Sequence, residues 1–78
     1  MPTALLEHAF RFFFYSNEND EPMHVHIVKG GAEGEIWILP VIKVAYMHGF
    51  TAKEERQIME IVFAKIEILK QKWNEHFA

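Results

Sequence analysis

Apolar residues recur along this chain in two different periods. The aromatic run Phe10-Arg11-Phe12-Phe13-Phe14-Tyr15 is short and is followed by Ser16-Asn17-Glu18-Asn19-Asp20-Glu21-Pro22, which is turn chemistry throughout. This reads as strand, then loop. β-prone character resumes in His24-Val25-His26-Ile27-Val28-Lys29, and Gly30-Gly31 predicts a hairpin turn leading into a strand over 35–39. Pro40 breaks the ladder and suits the first turn of a helix, so residues 41–48 are expected as a short helix that Gly49 ends in the left-handed conformation. Thr51 and Glu54 have the spacing of a capping box, with Phe50 before the cap placed to staple onto the stem of Glu55. From 52 to 75 there is no glycine or proline, and Ile58, Val62, Ile66, Leu69 and Trp73 form the stripe of one long amphipathic helix. The expected fold is α+β: a three-stranded antiparallel sheet, then a short and a long C-terminal helix packed on one face.

Strand parity sorts the sheet into two faces. If Val25, Ile27, Ile36 and Ile38 face the helices, then His24, His26, Val28, Glu35 and Trp37 point away from them. Arg11, Phe13 and Tyr15 form the more plausible outward set of the first strand because it carries an arginine and a tyrosine. The expected open face therefore shows Arg11, Phe13, Tyr15, His24, His26, Glu35 and Trp37. Met59, Ile61, Phe63 and Ile68 widen the helical stripe beyond what one small sheet needs, which predicts a partner: a second copy or a small cognate protein.

Composition narrows the classes. Seventy-eight residues make one domain, 1–78, burying about 60–65% of the unfolded surface. The absence of cysteine removes disulfides, thiolate zinc sites and cysteine nucleophiles. The N-terminus lacks the basic start and apolar run of a secretory signal, and no stretch approaches the ~20 apolar residues of a membrane span, so a cytoplasmic location is expected. Formal charge is −3, divided as −4 over residues 1–39 and +1 over residues 40–78. Neither half is a basic arm, and nucleic acid would have to be held by a local patch.

The chemistry concentrates on His24 and His26, whose i, i+2 spacing sends both imidazoles from the same face of a strand. Metal-free RNA cleavage needs a base, an acid and a cation, roles that fit His24, His26 and Arg11 as catalytic residues, with Phe13, Tyr15 and Trp37 stacking bases as the substrate-binding surface. The bland reading of the same residues is a half-buried sheet face packed on a partner, with the histidines hydrogen-bonded at its rim. A metal reading gives His24 and His26 a shared Zn²⁺ or Ni²⁺ with Asp20, Glu21 or His48 as third ligand; no glutamate follows the pair at the distance of a cupin-type site. The expected cofactor set is none. Helix-turn-helix DNA binding is disfavoured because Glu54 and Glu55 open the would-be recognition helix. The acidic loop 18–21 lacks the alternating ligands of a calcium site. Ser16 near His24 is better read as a turn residue than as a nucleophile, and the glycines at 30, 31 and 34 do not lead into a phosphate-binding helix with its lysine.

Taken together, Phe12-Phe13-Phe14-Tyr15-Ser16-Asn17-Glu18, Glu21-Pro22-Met23-His24-Val25-His26, Trp37-Ile38-Leu39-Pro40-Val41, His48-Gly49-Phe50-Thr51 and Trp73-Asn74-Glu75 resemble the bacterial domain of unknown function 4160 over nearly the whole chain. The resemblance implies a small bacterial protein of toxin-antitoxin association and brings no established reaction. One departure is Leu39, which precedes the proline where family members tend to carry an acidic residue, and which is a weak N-cap for the expected short helix. The reading that follows is a toxin-like protein acting on RNA through its His-x-His face. The alternatives are a non-enzymatic interaction module, antitoxin-like or scaffolding, and a histidine-based metal-binding protein.

Overall fold

A computed structural model describes residues 3–15 and 20–77, and it replaces the expected three strands with five. The strands are β1 (Thr3–Glu7), β2 (Phe10–Phe13), β3 (His24–Lys29), β4 (Ala32–Trp37) and β5 (Lys43–His48), followed by helices α1 (Ala52–Ala64) and α2 (Ile66–His76). Each strand pairs antiparallel with the next, giving the spatial order β1-β2-β3-β4-β5. Residues 16–19 of the expected turn, Ser16 among them, lie outside the described residues.

Both added strands are settled by backbone pairing with a neighbour. β1 and β2 are joined by His8-Ala9, whose φ values of 53° and 68° give the left-handed pair that matches the twist of a two-residue hairpin. Neither residue carries the asparagine or glycine signature of such a turn, so the hairpin has no sequence flag. The expected helix over 41–48 is instead strand β5. Its Val44 and Tyr46 are β-formers, and pairing with β4 satisfies a backbone edge that a helix would have left open. A β-bulge between the Glu35–Tyr46 and Ile36–Val44 pairs accommodates the extra residue, Ala45. Gly49 does take a positive φ, 87°, but between β5 and α1 rather than at the end of a helix.

The core assigned by parity is the core observed. Val25, Ile27, Ile36 and Ile38 are buried with Phe10, Phe12 and Phe14 against Ile58, Val62, Leu69 and Trp73 from the helices. Thr51 caps α1 with both hydrogen bonds of the capping box in place. The single long helix expected over 52–75 is interrupted at Lys65, whose φ of −110° and ψ of 20° leave helical geometry, although Lys65 N–H still reaches the Ile61 carbonyl and Leu69 N–H the Lys65 carbonyl. With α1 the first helix, no helix stands before it among the described residues to complete a helix-turn-helix. Of the residues that widen the helical stripe, Ile61 is buried and Met59 half-buried, while Phe63 (60%) and Ile68 (39%) stay exposed. Among the described residues, no helix is long and apolar enough to cross a membrane.

Candidate metal centre on the central strand

The two-residue turn at Gly30-Gly31 fixes the register between β3 and β4, and that register builds the site. With Lys29 opposite Ala32, each step back along β3 is a step forward along β4, so His26 lies opposite Glu35 and His24 opposite Trp37. On the other side of β3, Phe13 of β2 lies opposite His26. The expected outward set therefore does share one face, in rows Phe13–His26–Glu35 and His24–Trp37, with Arg11 one row along opposite Val28.

That face is not open. His24 is wholly buried, Phe13 is 3% exposed and His26 7%; of the set, Tyr15 is the most exposed at 39%. Rings close around the imidazoles. His26 stacks on Phe13 with centroids 5.5 Å apart and meets the edge of Tyr15 at 4.6 Å. The His24 ring touches His26 (5.2 Å), Trp37 (4.9 Å) and Trp73 of α2 (5.3 Å). Trp73 does this by sitting at the sheet end, where it also meets Phe14 at 5.3 Å. Parity could not foresee a helix residue wrapping around the sheet end.

The orientation of His24 is set by its own loop. Its Nδ1 lies 2.8 Å from the carbonyl oxygen of Pro22. A carbonyl only accepts, so Nδ1 carries the proton and donates it, and the remaining nitrogen, Nε2, points into the cluster. There Nε2 faces Glu35 Oε2 at 3.9 Å and Glu21 Oε1 at 4.0 Å. Both separations exceed a direct hydrogen bond. His24, His26 and Glu35 each have one ligand-type atom within 4.8 Å of those of the other two.

These three groups could hold a cation. Ligand atoms about 2.0–2.2 Å from a tetrahedral zinc lie about 3.3 Å apart, so side-chain rotations of about 1 Å close the cluster onto an ion. Two imidazoles and a carboxylate are the donors of His₂Glu zinc sites and of two-histidine-one-carboxylate iron sites. A backbone carbonyl holding the distal ring N–H is the support that ligating histidines ordinarily have.

Several candidate residues stand elsewhere. His48 lies on β5 opposite Glu33, with its ring 5.4 Å from Tyr46, and does not join the cluster. Asp20 is exposed and is likewise not in it. Arg11 donates from Nε to Thr3 Oγ1 at 2.7 Å and lies over the Phe13 ring at 4.8 Å, half-buried on the same face. Glu35, absent from the third-ligand candidates, takes the place expected of Asp20, Glu21 or His48. Its signal was present in the sequence, because a two-residue turn at 30–31 determines which residue of β4 opposes His26.

No curated protein and no solved structure matches the chain. The family model for the domain of unknown function DUF4160 matches residues 9–74. That span takes in β2 through most of α2, including His24, His26, Glu35 and both tryptophans packed on His24, and the chain belongs to the DUF4160 family.

Proposed function

We propose that this protein binds a divalent transition-metal ion, zinc or a near neighbour, through His24, His26 and Glu35. The observation that supports the reading is the grouping of these three donors, one ligand-type atom of each within 4.8 Å of the other two, while Nδ1 of His24 is held by the Pro22 carbonyl. Nε2 of His24 faces two carboxylates at 3.9 and 4.0 Å, and a cation between them would make each of those contacts favourable. The site sits in a nearly dry aromatic shell, which strengthens ion–ligand attraction and limits exchange with water.

The ribonuclease reading, with His24 and His26 as acid and base, Arg11 as phosphate clamp and Phe13, Tyr15 and Trp37 as a stacking surface, requires both imidazoles to touch a polymer. Their exposures of 0% and 7% favour an ion over a chain as the occupant. What supports RNA contact is confined to Arg11, Tyr15 and Trp37, which with the acidic Glu35 are the members of the face that are not buried. A toxin-like role acting on RNA then rests on those three residues alone.

Titration with zinc under calorimetry, beside thermal unfolding with and without chelator, tests the metal reading. Wild type is expected to bind one ion, and at a hundredfold excess over Kd to gain about 10–20 °C in Tm. His26→Ala and Glu35→Ala are expected to lose that gain while remaining folded. Equal melting with zinc and with chelator in wild type removes the proposal.

A further inference from the structure

We infer that Glu21 is the fourth, solvent-side ligand of the His24–His26–Glu35 centre, the group that closes the site over its ion and opens to release it; this rests on the metal reading above. His24 Nε2 faces two carboxylates at nearly equal range, Glu35 Oε2 at 3.9 Å and Glu21 Oε1 at 4.0 Å; Glu21 stands outside the group whose ligand atoms all lie within 4.8 Å of one another and joins it by a swing of its side chain. The two differ in exposure. The Glu35 side chain is 18% exposed and comes from the middle of a paired strand, whereas that of Glu21 is 48% exposed and comes from the segment leading into β3. One carboxylate is an inner anchor and the other an outer cap.

The backbone holds Glu21 at this post. Residues 21–24 act as one unit: the ring of Pro22 restricts the conformation of Glu21 before it, and the Pro22 carbonyl accepts the His24 Nδ1 proton. The Met23 side chain is buried, and its carbonyl accepts from Ile38 N–H at 2.8 Å and Leu39 N–H at 3.2 Å, tying the segment to the end of β4. Glu21 is thus anchored two residues from fixed points, with a side chain long enough to swing.

Charge gives the independent reason for a second carboxylate. Two neutral imidazoles, one carboxylate and a dication leave a net positive charge beside a wholly buried ring. Two carboxylates make the assembly neutral, the form that a buried site favours. The resulting two-nitrogen, two-oxygen set is closed and tetrahedral, as in sites that hold an ion rather than activate water on it.

Cobalt(II) is the probe, because four-coordinate tetrahedral cobalt absorbs strongly in the visible and higher coordination with water absorbs weakly. Wild type is expected to give the strong spectrum. Glu21→Ala is expected to keep one-to-one binding with an affinity lower by about 10–100-fold, a weaker absorption as water replaces the carboxylate, and faster loss of the ion to chelator. Glu35→Ala serves as the reference for loss of an inner ligand and is expected to abolish tight binding. A Glu21→Ala protein with wild-type affinity, spectrum and release rate overturns the assignment of Glu21 while leaving the three-residue centre standing. No cobalt binding by wild type overturns both.

Discussion

Ala9 carries the clearest strain at the scale of single residues. Its φ of 68° places a Cβ in the left-handed region, which costs an L-residue roughly 1–2 kcal/mol, and its neighbour His8 shares that conformation at 53°. Ala9→Gly relieves the clash, and the extra freedom of glycine in the unfolded chain takes back part of the gain. The expected result is a rise in stability of about 0.5–1 kcal/mol, read as a higher urea midpoint at unchanged slope; a lower midpoint would mean that the Ala9 methyl contributes packing that outweighs its strain. His24 shows a different residue-scale lesson. Wholly buried histidines are uncommon, and this one is accommodated because each ring nitrogen has a defined environment, a carbonyl on one side and two carboxylates on the other.

Pairing decides identity at the scale of elements. Gly34 of β4 is buried opposite Met47 of β5, and a Cβ added there would lie 3.0 Å from Met47 Sδ and 3.0 Å from the Tyr46 carbonyl oxygen. The methionine can move but the backbone carbonyl cannot without disturbing the β4–β5 ladder. Gly34→Ala is therefore expected to destabilise the fold by about 1–3 kcal/mol, measured by denaturant unfolding, and an unchanged midpoint would show that the bulge beside Ile36 yields freely. The same ladder explains why residues 41–48 form a strand although Pro40 before them and Gly49 after them are helix-boundary signals. Those signals mark where an element can start and stop and say nothing of its period; the β-branched and aromatic side chains and the open edge of β4 settle it as a strand. The capping box at Thr51, by contrast, was legible because both of its hydrogen bonds lie within four consecutive residues.

Long-range charge and burial act across the whole molecule. Lys29 at the end of β3 reaches Glu54 in the first turn of α1 at 2.8 Å, joining sheet to helix across 25 positions of sequence. The Lys29 side chain, and after it the Thr51 backbone N–H, hold the Glu54 carboxyl below its ordinary value. A carboxyl lowered on folding stabilises the native state above the ordinary carboxylate range, and that contribution is lost as the pH falls through its lowered value. Glu54→Gln is accordingly expected to flatten the acid limb of the stability–pH curve, with the difference from wild type present at neutral pH and vanishing under acid; a constant difference at all pH values would assign the effect to the cap alone. The exposed position of the pair keeps the magnitude modest.

The apolar face of β3 and β4, the stripe that α1 and α2 bury, the cap of α1 and the placing of both imidazoles on one face were all legible in the linear chain. All of these are consequences of period and near-neighbour chemistry, which a linear string carries. Even the pairing of Glu35 with His26 was implicit in the two-residue turn at 30–31. The edge strands β1 and β5, the interruption at Lys65 and the closing of the histidine face by Trp73 emerge only in the folded chain. The strands depend on which backbone edges pair, and the closing of the face on a contact between residues 49 positions apart, where a helix ring fills the space beside His24. Parity tells which way a side chain points, and only packing tells what it meets there.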